Sequence, residues 1–221
     1  MKKLTFFLLF YSSLSCAGTK EYVVGSGSEF KFISENGEKV SLSIYVTQSS
    51  FTKLGIEYYF TTAGFMGVEA WQQYIMGISD TGLSLDEGYV QSPEMKHPEI
   101  MTKAFRENNE NGVVVEDFFF SNLAEIDKYK IGIESAEVPA GNIQSTHYRK
   151  TRAEQTVDFW ISDKAGAIGL VKLVSTGLKD KNQNYRIELM SLLKKVKTKI
   201  NPKDAVPLTD KGKMFLGKNV K

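Results

Sequence analysis

The first clear pattern in the chain is an alternation of apolar and polar residues on either side of a short polar turn. Residues 29–33 and 40–46 both alternate with a period of two, the periodicity of a half-buried strand. Asn36-Gly37 lies between them, and this dipeptide is the strongest short-range signal for a β-hairpin. The pattern therefore predicts a hairpin over residues 29–46.

Further runs predict more strands. Residues 54–61 and 83–90 carry the β pattern clearly. Residues 68–78 fit either a helical face or a strand, and their glycine and aromatic content favours a strand. Residues 113–120 are apolar in both alternation phases, which predicts a central strand covered on both sides, and residues 128–135 predict another strand.

One helix is predicted between these strands. Pro98 suits the first helical position, and Glu99 suits the positive end of the helix dipole. The helix would bury an apolar face formed by Ile100, Met101, Ala104 and Phe105.

The stretch from Glu137 to Leu193 is the most regular part of the sequence. Short β-rich runs bounded by Gly, Pro, Asn or Asp are typical of an antiparallel meander. The runs cover residues 142–150, 156–162, 170–176 and 185–190.

The same stretch resembles a known group of exported bacterial β-proteins. The shared order is Glu137-Val138-Pro139-Ala140-Gly141, a strand, a strand ending in Trp160-Ile161-Ser162, then Gly169-Leu170-Val171-Lys172, and a strand ending in Glu188-Leu189. In this order the chain is similar to proteins near the lipoprotein-carrier (LolA/LolB-like) half-barrel group. The resemblance covers residues 137–190 and implies a half-barrel that shelters an acyl chain or another apolar ligand.

Together the patterns predict a mainly β (α+β) fold, a curved antiparallel sheet or half-barrel meander with one or two short helices. The expected organisation is a signal peptide over residues 1–17, a flexible linker over 18–28, a single β-rich domain over 29–193 and a basic C-terminal tail over 194–221.

The N-terminus has the form of a secretory signal. Met1-Lys2-Lys3 is basic, residues 4–11 are apolar, and small residues follow from Ser12 to Ala17. The apolar run is too short to span a bilayer as a stable anchor. The signal predicts export to the periplasm or the outer membrane.

Two processing routes remain open. In one, Cys16 is the lipid attachment point of a lipoprotein, and the signal peptide is residues 1–15. The usual large apolar residue three places earlier is Ser13 here, with Leu14 one place late. In the other, cleavage follows Ala17 and removes the cysteine. Either way, the body has no cysteine for a disulfide.

Charge is distributed unevenly. Residues 194–221 hold nine lysines against Asp204 and Asp210, although the whole chain has a formal charge of only +2. Such a tail is either a solvated terminus or a contact with lipid headgroups or an anionic polymer. Export argues against nucleic acid as a partner.

No arrangement typical of catalysis or of a cofactor occurs. His97 and His147 are fifty positions apart, and Gly-x-Ser-x-Gly is absent. The carboxylates of Asp86-Glu87 and Glu116-Asp117 are adjacent, so in a strand they point to opposite faces. The sequence therefore predicts no enzyme activity, no metal and no cofactor.

Aromatic residues are the remaining candidates for a binding site. A curved sheet can leave an apolar cavity, and the side chains expected to line it are Trp71, Tyr74, Phe118, Phe120, Phe159 and Trp160. The alternative is that these rings are core. Two functions follow: a non-enzymatic envelope protein that binds a lipid or other apolar ligand, or a structural or interaction lipoprotein with no small-molecule ligand.

Overall fold

In a computed structural model the described residues form one open sheet of twelve strands. The structure describes residues 22–37, 39–62, 67–79, 82–102, 127–152, 155–167, 169–177 and 184–216. The strand order is β12-β6-β5-β4-β3-β2-β1-β11-β10-β9-β8-β7, and every pairing is antiparallel except the one between β12 and β6. The predicted mainly β fold with a curved antiparallel sheet is confirmed.

The strand bounds are Gly27–Ser34 (β1), Lys39–Ser49 (β2), Lys53–Thr62 (β3), Glu69–Ser79 (β4), Gly82–Gln91 (β5), Glu99–Ile100 (β6), Lys130–Val138 (β7), Gly141–Arg152 (β8), Gln155–Ile161 (β9), Leu170–Gly177 (β10), Tyr185–Leu193 (β11) and Val206–Pro207 (β12). Short 3-10 turns cover Asp163–Ala165 and Pro202–Asp204. A single short helix, α1 (Asp210–Met214), follows β12 within the described residues.

The predicted hairpin is β1 and β2, and the turn between them contains Gly37 with φ +78°. Only glycine adopts this left-handed conformation without strain, which is why Asn-Gly marked the turn correctly. The runs at 54–61, 68–78, 83–90 and 128–135 are β3, β4, β5 and β7, and the meander is β8 to β11.

The helix predicted from Pro98 is wrong at its start. Glu99 and Ile100 form strand β6, which pairs with β5 on one side and with β12 on the other. Met101 is buried without being helical, and its backbone N–H donates to the Gly88 carbonyl oxygen at 2.8 Å. Ala104, Phe105 and the strand predicted at 113–120 lie outside the described residues.

The sheet curls so that one face, here called the inner face, is enclosed. In a flat sheet β7 would lie about 19 Å from β11, four strand spacings away. Here the Ala140 N–H, in the turn after β7, donates to the Leu189 carbonyl oxygen of β11 at 3.1 Å. Fully buried side chains fill the space, among them Phe30, Ile44, Phe159, Leu173 and Leu189.

The opposite, outer face is partly covered by residues 194–216, here called the C-terminal strap. Ile200 is buried against Ile75 and Tyr89 on the outer face of β4 and β5. The strap then pairs with edge strand β6 through β12, and Leu216 packs with Val90 on the inner face. The strap thereby covers one edge of the sheet, which protects it from pairing with another chain.

The segments predicted as linker and tail both contact the sheet in part. Gly27 and Ser28 belong to β1, and the Gly25 N–H donates to the Val46 carbonyl oxygen at 2.7 Å. Strap residues as far as Leu216 pack against the sheet. In the part of the chain that is described, no helix is long and apolar enough to cross a membrane.

Candidate functional site

An open concavity of about 410 Å³ lies over the centre of the sheet. Its lining comes from β1, β2, β3 and β11: Glu29, Phe30, Lys31, Lys39, Val40, Ser41, Thr61 and Met190. Lys31 pairs with Ser41, and Ser41 pairs with Thr61, so these three side chains share the outer face. Phe30 and Val40 point to the inner face and close the floor through their backbone.

A β-bulge shapes one wall of this concavity. The register between β1 and β11 shifts between Glu29 and Phe30, which leaves Met190 as the extra residue opposite them. A bulge bends its strand and redirects a side chain. Glu29 accepts a hydrogen bond from the Ser191 hydroxyl at 2.9 Å, so its carboxylate is held beside the bulge. The wall is therefore apolar at Met190 and polar at Glu29.

Lys31 and Lys39 bring positive charge to the concavity. Among the described residues neither ammonium group has a carboxylate within ion-pair distance, whereas Glu29 is bonded to Ser191. Unpaired ammonium groups beside an apolar wall suit an anionic group attached to an apolar one. The concavity thus combines two lysines and one carboxylate, that of Glu29, with an apolar surface at Met190.

A row of directly paired residues connects the concavity to the far side of the sheet. Lys31 pairs with Glu188, Glu188 with Lys172, Lys172 with Trp160 and Trp160 with His147. All of them lie on the outer face, because directly opposite residues point the same way. The Lys172 ammonium lies 5.6 Å from the centre of the Trp160 ring, within cation–π range.

His147 is the centre of a polar cluster at the end of this row. Its Nδ1 lies 3.0 Å from Glu134 Oε1, and its Nε2 lies 2.6 Å from Asp158 Oδ1. The imidazole stacks on Trp160 with ring centres 4.4 Å apart, and the indole N–H donates to the same Glu134 oxygen at 2.6 Å. Arg149 Nε donates to Asp158 at 2.8 Å, which raises the pKa of that guanidinium.

This cluster ties together strands β7, β8 and β9. Each of the two ring nitrogens of His147 faces a carboxylate from a different neighbouring strand. Every group in the cluster has a protein partner, so the role of the cluster is structural: it holds the three strands together. No group of three or more His, Cys, Asp or Glu side chains within the described ranges is placed to hold a metal ion.

Glu57 is the second buried polar centre of the outer face, and it anchors the C-terminal strap. Its carboxylate accepts hydrogen bonds from the Tyr45 hydroxyl at 2.5 Å, the Gln73 amide at 3.1 Å, the Thr198 hydroxyl at 2.6 Å, the Lys199 N–H at 2.8 Å and the Ile200 N–H at 3.2 Å. Burial, and after it the hydrogen bond to Glu57, raises the pKa of Tyr45. The strap is therefore fixed by its backbone as well as by Ile200.

The residues predicted to line an apolar cavity do not lie together. Trp71 is on the outer face, stacked on Tyr59 and covered by the Lys199 ammonium. Tyr74 is on the inner face of the same strand, edge-on to Tyr58. Phe159 is fully buried in the core and stacks on Tyr148, whereas Trp160 faces outward. Phe118, Phe120 and Cys16 are outside the described residues.

None of the four described candidates lines the concavity. The candidate lining residues predicted from the sequence were all aromatic, and they did not include Lys31 and Lys39. The available signal was their position, because Lys31 is in the polar phase of the run before Asn36-Gly37 and Lys39 directly precedes the run after it. Paired strands bring the polar phases of such runs to one face.

Comparison with known proteins adds little to this description of the site. No family model matches the chain, and no curated protein matches it. A crystal structure of a protein presumed to be a lipoprotein, from Parabacteroides distasonis ATCC 8503, is similar at 13% identity and a TM-score of 0.39, covering 77% of this chain and 96% of that one. The resemblance to the lipoprotein carriers has no family match behind it and stays a prediction.

Proposed function

We propose that this protein is exported to the bacterial envelope, is held at a membrane through a lipid on Cys16, and binds an anionic amphiphile in the concavity of β1, β2, β3 and β11. The observation that carries the binding role is the presence of Lys31 and Lys39 beside Met190 in the lining of one open hollow. The envelope location rests on the N-terminal sequence, with its basic start and short apolar run.

The chemistry of the hollow defines the ligand class. Its volume of about 410 Å³ is within the range of small-molecule sites. A carboxylate or phosphate would meet two ammonium groups there, and the hydroxyl groups of Ser41 and Thr61 can add hydrogen bonds. Met190 and the methylene stems of the lysines offer an apolar surface for the other end of the ligand. The outer-face site is open, so it suits a molecule that is exchanged rather than enclosed.

A second candidate is favoured by the packing of the inner face. A carrier of the half-barrel type holds its ligand inside the curved sheet, but here that side is filled by Phe30, Phe159, Leu173, Ile187 and Leu189, all fully buried. A filled interior favours the structural or interaction lipoprotein with no small-molecule ligand. The two functions make opposite predictions for ligand binding.

The test is a titration with a fluorescent fatty-acid analogue. The protein is produced by export with Cys16→Ala, so that no lipid is attached, and is compared with Lys31→Gln/Lys39→Gln. Hydrogen bonds to charged groups contribute about 1.5–3 kcal/mol each, so removing both charges should weaken binding by about tenfold or more. Mass spectrometry of molecules that co-purify with the wild type would identify the natural ligand.

The matched control removes two other exposed lysines, as Lys96→Gln/Lys203→Gln, and should leave affinity within about twofold. An uncharged analogue of the same chain length should bind weakly and respond to neither pair of changes. Equal loss in both double variants, or no binding of the probe by the wild type, would favour the structural role.

A further inference from the structure

The start of β1 and the end of β11 form a corner of the sheet with unusual surface chemistry. Gly25 is joined to both neighbours of β1: its N–H donates to the Val46 carbonyl oxygen at 2.7 Å, and its carbonyl oxygen accepts from the Val196 N–H at 2.9 Å. The Ser26 N–H and hydroxyl both donate to the Val23 carbonyl oxygen, at 3.0 and 2.6 Å. The turn carrying Val23 and Val24 is thus fixed beside residues 194–197.

Apolar side chains at this corner are turned to solvent. Val23 is 57% exposed, Val24 is 56% exposed, and Leu192 on the adjoining strand is 47% exposed. The turn is held in place by the two hydrogen bonds that the Val23 carbonyl oxygen accepts from Ser26, yet the side chains of both valines are uncovered. Exposed apolar side chains on an ordered turn indicate a surface that meets something apolar.

Lysines follow β11 in the segment that lies beside this turn. Lys194, Lys195 and Lys197 are exposed, and none has a carboxylate within ion-pair distance in the part of the chain that is described. Lys195 has φ +58°, a left-handed conformation that a lysine rarely adopts. Three of the four residues from 194 to 197 are lysines, and this segment lies beside the turn that carries the valines.

The corner is also the part of the described structure that directly follows the N-terminal residues in sequence. Cys16 precedes Tyr22 by six positions, a span of at most about 20 Å when extended. A lipid on Cys16 would therefore hold this corner close to the bilayer surface. A basic patch beside a lipid anchor adds an electrostatic contribution to membrane binding.

We infer that Val23, Val24, Leu192, Lys194, Lys195 and Lys197 form a docking corner that lies on an anionic phospholipid bilayer. The inference rests on the envelope location in the proposed function, but it is independent of the concavity. The valines enter the headgroup region, and the lysines contact the phosphates of anionic lipids. The corner orients the domain, leaving the concavity on the outer face open above the membrane.

Vesicle co-sedimentation of the exported Cys16→Ala protein isolates this contact from the lipid anchor. Binding to vesicles that contain phosphatidylglycerol should exceed binding to phosphatidylcholine vesicles and should weaken as salt rises. Lys194→Gln/Lys197→Gln should reduce binding about fivefold per lysine, with a shallower salt dependence. Val23→Ser/Val24→Ser should reduce binding and leave the salt dependence unchanged.

Two control variants match these changes elsewhere on the surface. Lys96→Gln/Lys203→Gln removes the same charge, and Phe51→Ser removes a fully exposed apolar side chain. Both should bind vesicles as the parent does. Equal binding to both kinds of vesicle, or an equal loss in the controls, would overturn the docking corner. Fatty-acid binding by the corner variants reports separately on the concavity, so the two proposals can fail independently.

Discussion

The backbone N–H of Val196 donates to the carbonyl oxygen of Gly25 across 2.9 Å, which joins the turn before β1 to the start of the C-terminal strap. Gly25 has φ +82°, and a Cβ built there would lie 3.0 Å from the Val196 carbonyl oxygen and 3.2 Å from the Lys195 Cα. The two segments meet at this distance because residue 25 has no side chain.

Gly25→Ala should therefore destabilise the protein by about 1–3 kcal/mol, since it adds backbone strain and a close contact with atoms that are not free to move. Denaturant midpoints give the change. Gly132→Ala is the matched control, because a Cβ at residue 132 meets nothing within 4 Å. That change should be neutral or slightly stabilising, as expected for alanine in a strand. Equal destabilisation by both changes would contradict the contact with the strap.

Glu57 offers a second test of how the strap is held. Glu57→Gln keeps the size of the side chain but replaces an acceptor oxygen with an N–H₂ group, which then faces N–H and O–H donors. Because the change removes hydrogen bonds to a buried carboxylate, the free energy of unfolding should fall by at least about 3 kcal/mol. Hydrogen exchange should show faster exchange of the strap amides at Lys199 and Ile200 in particular.

Glu69→Gln is the control for that change. Glu69 is on the neighbouring strand, is half-buried and accepts one hydrogen bond, from the Tyr59 hydroxyl at 3.2 Å. The expected change is within about 0.5 kcal/mol, as for a surface substitution. If Glu57→Gln is as mild as Glu69→Gln, then the strap is held by Ile200 and not by the carboxylate.

The hairpin and the meander were predictable because their information is local. Alternation, Asn36-Gly37 and the Pro139-Gly141 turn each act within a few residues. The strap was not predictable in this way. Glu57 and Lys199 are separated by 142 positions, and nothing near Glu57 in the sequence indicates that its partners are distant backbone N–H groups. The lysine content of the strap suggested either a solvated tail or a contact with lipid headgroups or an anionic polymer, and it gave no sign that Ile200 would be buried against the sheet.

The helix predicted at Pro98 failed for a related reason. Pro98 and Glu99 fit a helix start by local preference, but Glu99 accepts hydrogen bonds from the Thr209 N–H at 2.6 Å and from its hydroxyl at 2.7 Å. Those contacts, and the pairing of β6 with β5 and β12, outweigh helix propensity. The two lysines of the concavity lie on the predicted hairpin, but Thr61 and Met190, which complete the concavity, are brought beside them only by the register of β3 and β11.

A pH dependence follows from Tyr45. Burial and the hydrogen bond to Glu57 raise its pKa above the ordinary value of 10.0. Because the folded state holds this proton more tightly than the unfolded state, the stabilisation is complete below about pH 10 and is lost as the pH rises further. Tyr45→Phe should lower stability at pH 7, and its free energy of unfolding should fall less steeply than that of the wild type between pH 10 and 11.5. Parallel curves would contradict the assignment.

The two aromatic residues that follow each other on β9 should respond very differently to truncation. Phe159 is fully buried on the inner face and stacks on Tyr148 with ring centres 5.0 Å apart, so Phe159→Ala should cost about 3–5 kcal/mol. Trp160 lies on the outer face, where Trp160→Ala removes the stack on His147 and the hydrogen bond to Glu134 but leaves no core cavity. Trp160→Phe keeps the stack and should be milder still. Denaturant midpoints should therefore fall in the order Phe159→Ala, Trp160→Ala, Trp160→Phe, with the largest loss first. If Phe159→Ala is mild and the variant binds the fatty-acid probe more tightly, the inner face is an adaptable cavity and the ligand belongs inside the sheet.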